Sequence, residues 1–154
     1  MTRHVLVVGL GNEYRSDDGA GPAVAAYVAD RASGKVDATV IGEPLDLLGK
    51  WDDTGLCVVA DATRSGAPPG TVQLVDLGAD GDADAAATST HGMDLARVLR
   101  LARVVGGAPR RVVVVGIEGE SFADGSRLSE TVAAAVAEAG ELVLQLVDRD
   151  VSCA

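Results

Sequence analysis

Residues 5–22 read VLVVGLGNEYRSDDGAGP. Val5 to Gly9 is an uninterrupted apolar run of strand length. The glycines and polar residues after it form a loop, and Pro22 stands where the first turn of a helix has no use for a backbone N–H. Val24, Tyr27 and Val28 recur at helical spacing and carry that helix over residues 19–30. A strand apolar on both faces that leads through a loop into a helix opens an α/β fold, because a sheet with one wet face would alternate apolar and polar residues.

The rest of the chain extends the pattern. Residues 38–41 and 56–60 read as buried strands, with a short helix over residues 45–51 between them. Thr71 to Leu77 follows the Pro68-Pro69-Gly70 turn and alternates at Val72 and Leu74, as an edge strand does; antiparallel pairing is open to it. Residues 78–90 form a loop. A helix then runs from His91 to Val105 with the stripe Leu95, Val98, Leu99 and Ala102, stopped by Gly106-Gly107. Residues 112–117 are a further buried strand. The last helix spans residues 129–147, with Ser129 placed to cap it and Glu130 complementing its dipole.

This order predicts a three-layer α/β sandwich: a mainly parallel, twisted five-stranded sheet with helices on both faces. Right-handed crossovers put the loops that follow the parallel strands along one sheet edge. No repeat, linker or composition break divides the chain, so a single domain covers residues 1–154.

Composition narrows the function. Hydrophobic residues make up 47% of the chain and aromatics only 3%, so valine, leucine and alanine fill the core. A net charge of −10 repels a phosphate backbone and argues against a nucleic-acid partner. No apolar run approaches the roughly 18–20 residues of a membrane span. The short apolar N-terminus runs into charge without a small-residue cleavage site, unlike a signal peptide. Cys57, inside an apolar strand, reads as a buried thiol, and Cys153 stands next to the last residue; neither belongs to a CxxC pair. These features point to the cytoplasm.

Chemistry can reside in three loops at the predicted edge. The first, Gly9 to Gly19, has the spacing of a dinucleotide-binding turn until Tyr14, which replaces the third glycine. Asp17 and Asp18 would also sit where a pyrophosphate belongs, so a nucleotide-binding domain is the weaker reading. The two acids are open to helix capping or to ligation, and one cap needs only one of them. Asp61 closes the third strand, as a turn acid or a ligand. His91 opens a helix, after Ser89 and Thr90, as a cap neighbour or a ligand; the helix dipole favours its neutral form there. Asp18, Asp61 and His91 together are a mixed oxygen and nitrogen set suited to a first-row divalent ion. His4 stands at the opposite sheet edge and receives no role. Asp80, Asp82 and Asp84 lack the glycine and glutamate of a calcium loop. Arg97, Arg100, Arg103, Arg110 and Arg111 read first as a solvated helix face and second as a docking surface.

Four segments, VLVVGLGNEYRSDDGAGPAVA, VVADA, STHGMDLARVLRLA and VVVVGIEGESFADGSRLSETVAAAV, resemble the hydrogenase maturation endopeptidases in order and spacing over nearly the whole chain. The resemblance implies a helix-sandwiched sheet. It also implies an enzyme that cuts the C-terminal extension from the large-subunit precursor of a nickel–iron hydrogenase after nickel insertion. Asp18, Asp61 and His91 match the family's metal-binding positions, so the resemblance makes them the catalytic and metal-ligating residues. The nickel belongs to the precursor and is not a resident cofactor. A non-catalytic nickel-checking or chaperone-like module on the same fold is the alternative.

Three departures bear on specificity. Asp18 stands where the family often has glutamate. Gly42-Glu43-Pro44 replaces a Gly-Gly-Thr-type turn, and Gly119 occupies a position that is often proline. Water activation is expected from the metal or from a carboxylate such as Asp17 or Glu43.

Overall fold

The computed structural model describes residues 4–32, 34–52, 54–78 and 91–152. The predicted caps Ser89 and Thr90, the acids Asp80, Asp82 and Asp84, and Cys153 lie outside these residues. The elements are β1 (His4–Leu10), α1 (Ala20–Arg31), β2 (Asp37–Ile41), β3 (Thr54–Thr63), β4 (Val72–Gly78), α2 (Gly92–Val105), β5 (Arg111–Glu118) and α3 (Glu130–Ser152). Single 3-10 turns cover Ser16–Gly19 and Pro44–Leu47.

The five strands lie in the order β2-β1-β3-β5-β4. All neighbours are parallel except β4, which runs antiparallel to β5 at one edge. Alternation of side chains across the strands builds two cores. On one face Val5, Val7, Val58, Ala60, Val113 and Val115 meet Val24 and Val28 of α1 and Val132, Ala139 and Val143 of α3. On the other, Leu6, Val8, Leu10, Cys57, Val59 and Val114 meet Leu95 and Leu99 of α2, together with Leu47 and Trp51. The predicted sandwich is therefore present, and the inner strands are covered on both faces as their continuous apolar runs required; β2, expected to be buried, is largely exposed because it lies at the sheet edge.

Three boundaries differ from expectation. The helix expected over residues 45–51 is one 3-10 turn, because Leu48 is extended and Gly49 takes φ +89°, which a helix cannot pass. Burying Leu47 and Trp51 is what that segment contributes. Strand β3 runs on to Thr63, so Asp61 lies within a fully buried strand rather than in the loop after it. Helix α3 extends to Ser152, beyond the expected end at residue 147.

The chain leaves β1 for β2 on one side of the sheet, while β3 lies on the other side of β1. A sheet so ordered opens a crevice at the carboxyl ends of its two central strands. Glycines let α1 close over that crevice. A Cβ on Gly21 would sit 2.3 Å from the Ala60 carbonyl oxygen, and one on Gly9 would sit 2.6 Å from the Gly21 carbonyl oxygen. Gly9 of β1 and Gly21 of α1 thus serve close packing of helix on strand.

Candidate metal centre and active site

The loop between β1 and α1 folds back on itself. Gly11 has φ +143°, and a Cβ there would collide with the Asp18 carbonyl oxygen at 2.0 Å. The Asn12 N–H donates to Asp18 Oδ2 at 2.9 Å, and the Asp18 N–H donates to the Arg15 carbonyl. Asp18 is buried by this fold. Across the crevice, Asp61 of β3 is 1% exposed. Its Oδ1 accepts the Ala62 N–H at 2.9 Å, and Oδ2 accepts the His91 N–H at 3.2 Å. His91 Nδ1 lies 3.1 and 3.2 Å from the two oxygens. His91 occupies the N-cap position of α2, one residue before the helix proper.

Among the described residues, Asp18, Asp61 and His91 each present a donor atom within 4.8 Å of the other two. Donors about 2.1 Å from one ion stand up to about 4.2 Å apart, so sub-ångström movements would bring all three to a common ion. The three residues singled out from sequence are therefore brought together.

The proton affinity of His91 runs against expectation. Its hydrogen bond to Asp61 raises the pKa above the ordinary 6.5; burial opposes this, and the charges of Asp61, Asp18 and Glu43 add to the rise. The carboxylates outweigh the helix dipole because they are full charges close to the ring.

Asp17 does not fit the role of water-activating base. Its carboxylate is fully buried and accepts the N–H groups of Glu120 (2.8 Å), Ser121 (3.0 Å) and Ser129 (2.7 Å), and the Ser129 hydroxyl at 2.9 Å. Burial alone would raise its pKa, but these donors hold it below the ordinary 3.8. A carboxylate so satisfied is a weak base and a strong staple. Ser129 accordingly turns its hydroxyl toward Asp17.

Glu118 has a parallel role that sequence reasoning missed. It follows an apolar run just as Asp61 does, and that signal was present. The buried carboxylate accepts the Thr63 hydroxyl (2.6 Å) and the N–H groups of Ser65 (2.7 Å) and Gly66 (2.9 Å), fixing the loop after β3. Burial works to raise its pKa, and the hydrogen bonds outweigh burial and lower it from 4.5. A depressed folded pKa means that the stabilisation is fully present above the unfolded value and is lost as pH falls through the folded one. Glu118→Gln is expected to cost about 2 kcal/mol at neutral pH in urea unfolding. The gap between wild type and variant should close as the pH falls below about 4.

A cleft of about 280 Å³ is lined by Arg15, Asp18, Arg64, His91 and Phe122. The Arg64 guanidinium lies over the Phe122 ring, 3.9 Å from its centroid. A Cβ at position 119 would come within 2.5 Å of that ring, so Gly119 is what seats Phe122.

The remaining candidates stand aside. Cys57 is buried in β3, and burial pushes its thiol up to about 12, so it is no nucleophile. His4 pairs with Asp37 at the far end of the sheet. Arg97 pairs with Asp94, Arg110 with Asp150 and Arg111 with Asp76, while Arg103 donates to the Pro109 carbonyl. Those partners favour a solvated face over a docking surface. Among the described residues no helix is long and apolar enough to cross a membrane.

Known proteins share this fold. No functionally curated protein matches the sequence. Several solved structures do match. Hydrogenase maturating endopeptidase HybD from E. coli is 25% identical, with a TM-score of 0.78 over 96% of this chain and 93% of that one. An endopeptidase from Escherichia coli is 27% identical, with a TM-score of 0.81 over the same shares. Hydrogenase 2 maturation peptidase from Thaumarchaeota archaeon SCGC_AB-539-E09 is 30% identical, with a TM-score of 0.74 over 94% of this chain and 98% of that one. The sequence model of the HycI hydrogenase maturation proteases matches residues 39–146, a span that holds Asp61, His91 and Glu118. With most of its length matched in sequence and nearly all of it in structure, the chain belongs to the hydrogenase maturation protease family and is a peptidase.

Proposed function

We propose that this peptidase removes the C-terminal extension of a nickel–iron hydrogenase large-subunit precursor once nickel is in place. Asp18, Asp61 and His91 recognise the nickel that the precursor carries. The observation that carries this reading is the convergence of three donor atoms within 4.8 Å at the crevice between β1 and β3. Two carboxylates and an imidazole suit a first-row divalent ion and leave coordination positions for the precursor's own ligands.

The nickel enters as substrate. Gripping it places one peptide bond of the precursor beside the site and turns a slow encounter into a local reaction. As the ion arrives, the ring either gives up the contact between Nδ1 and Asp61 or presents Nε2 while Asp61 orients it. With Asp17 committed to four donors, Glu43 is the carboxylate left to assist the attacking water; its exposure and its electrostatic reach to His91 are compatible with that task. The reaction belongs to the cytoplasm, in keeping with the free, buried Cys57 thiol.

Purified enzyme mixed with nickel-loaded and with nickel-free precursor is expected to cut only the first. Equal cleavage of the two would remove nickel recognition from the proposal.

A further inference from the structure

The cleft beside the three donor residues holds two guanidiniums that gripping a metal does not use. Arg15 and Arg64 line it together with Asp18 and His91. Among the described residues neither has an ion-pair partner. In a chain of net charge −10, these two guanidiniums concentrate positive charge beside the carboxylates of the site. Positive charge next to a cation site weakens cation binding unless an anion arrives as well.

Arg64 is held from two sides. Glu118 fixes its backbone through Thr63, Ser65 and Gly66. The ring of Phe122, the single phenylalanine of the chain, lies under its guanidinium. Phe122 is seated in turn by Gly119, and its segment is tied to the first loop by Asp17 through Glu120 and Ser121. Arg15 is fixed where its backbone bridges to Gly125 and its carbonyl accepts the Asp18 N–H. One guanidinium seated on a ring and a second carried on an anchored backbone, both lining one cleft, make a binding surface for an anion.

We propose that Arg15 and Arg64 form an anion subsite that receives a carboxylate side chain of the precursor next to the scissile bond. The inference rests on the proposed precursor cleavage and names how the polypeptide is aligned there. A polypeptide offers carboxylates as its anions, and a planar guanidinium fork binds them with defined direction. With the metal held by the three donors and a carboxylate held by the arginines, the chain between the two contacts has one register. Both arginines are positioning residues.

Steady-state cleavage of nickel-loaded precursor tests this. Arg15→Gln and Arg64→Gln are each expected to raise KM about tenfold with kcat kept within about twofold. Arg64→Lys, which keeps the charge but loses the fork and its seat on Phe122, should give a KM between those of wild type and Arg64→Gln. Thermal melting of each variant alongside wild type identifies any that fails to fold. The acidic residues flanking the cut are then changed one at a time to their amides. One such precursor should raise KM for wild-type enzyme and change it little for Arg64→Gln, the signature of coupled partners.

The subsite is overturned by an unchanged KM in both glutamine variants, by a fall in kcat at constant KM, or by no acid coupling to Arg64. Wild-type enzyme that leaves nickel-loaded precursor uncut would overturn the proposed function itself, so the two failures are told apart.

Discussion

His91→Ala is expected to lower kcat/KM for nickel-loaded precursor by at least about 100-fold, the cost that misplacing a reacting group alone can carry. Two losses combine in this variant. The ring is one of three donors at the crevice, so the ion loses a ligand. It also lies against both oxygens of Asp61, so a second donor loses the group that orients it. The fold should survive, because the Asp61 carboxylate keeps the N–H groups of Ala62 and of residue 91 itself. Stability in urea is expected to fall by no more than about 1–2 kcal/mol. Calorimetric titration with nickel(II) alone gives a readout independent of cleavage: the variant should bind more weakly than wild type. Normal cleavage by a well-folded His91→Ala variant would take His91 out of the site.

Asp17→Ala is expected to be the most damaging single change to stability, at about 3–5 kcal/mol, because it strands several donors at once. The carboxylate ties the N–H groups of Glu120, Ser121 and Ser129 to the loop that carries Asp18. That is a large share of the roughly 5–15 kcal/mol by which a domain of this kind is stable. Asp17→Asn should recover part of the loss, since its amide oxygen still accepts while its NH₂ faces donors. The measurement is the urea midpoint at constant m. Cleavage kinetics give a second check. Where Asp17→Asn remains folded, KM should rise, because the segment that seats Phe122 beneath Arg64 has lost its anchor. An Asp17→Ala variant as stable as wild type would end the staple assignment and return Asp17 to the list of candidate bases.

The neighbouring acids Asp17 and Asp18 show where reading a sequence stops. Both are aspartates in one loop, adjacent in the chain and two or three positions before the helix starts. A cap explained only one of them, which left a carboxylate for another task. Which of the two was left depended on donors more than 100 positions away, at Glu120, Ser121 and Ser129. Glu118 is a similar case. It follows an apolar run as Asp61 does, yet it meets the Thr63 hydroxyl and the N–H groups of the loop after β3, whereas Asp61 meets His91.

The proton affinity of His91 separates the two levels in another way. Its position at the start of a helix is local and predicts a neutral ring. The carboxylates that reverse this come from Asp61, Asp18 and Glu43, all distant in the chain. Arg64 and Phe122, 58 positions apart, met by the same means, through the adjacent carboxyl ends of β3 and β5.

Local patterns of apolar residues, with their glycine and proline punctuation, determined the strands, the main helices, the covered sheet and the edge at which Asp18, Asp61 and His91 had to appear. Periodicity and crossover handedness act over a few residues at a time and can be read along a line. The tertiary structure decided which carboxylate is a staple and which is a ligand, how tightly His91 holds its proton, and that two arginines share the cleft with the donors. Those properties depend on distance and burial, which vary steeply over a few ångströms and have no counterpart in sequence separation.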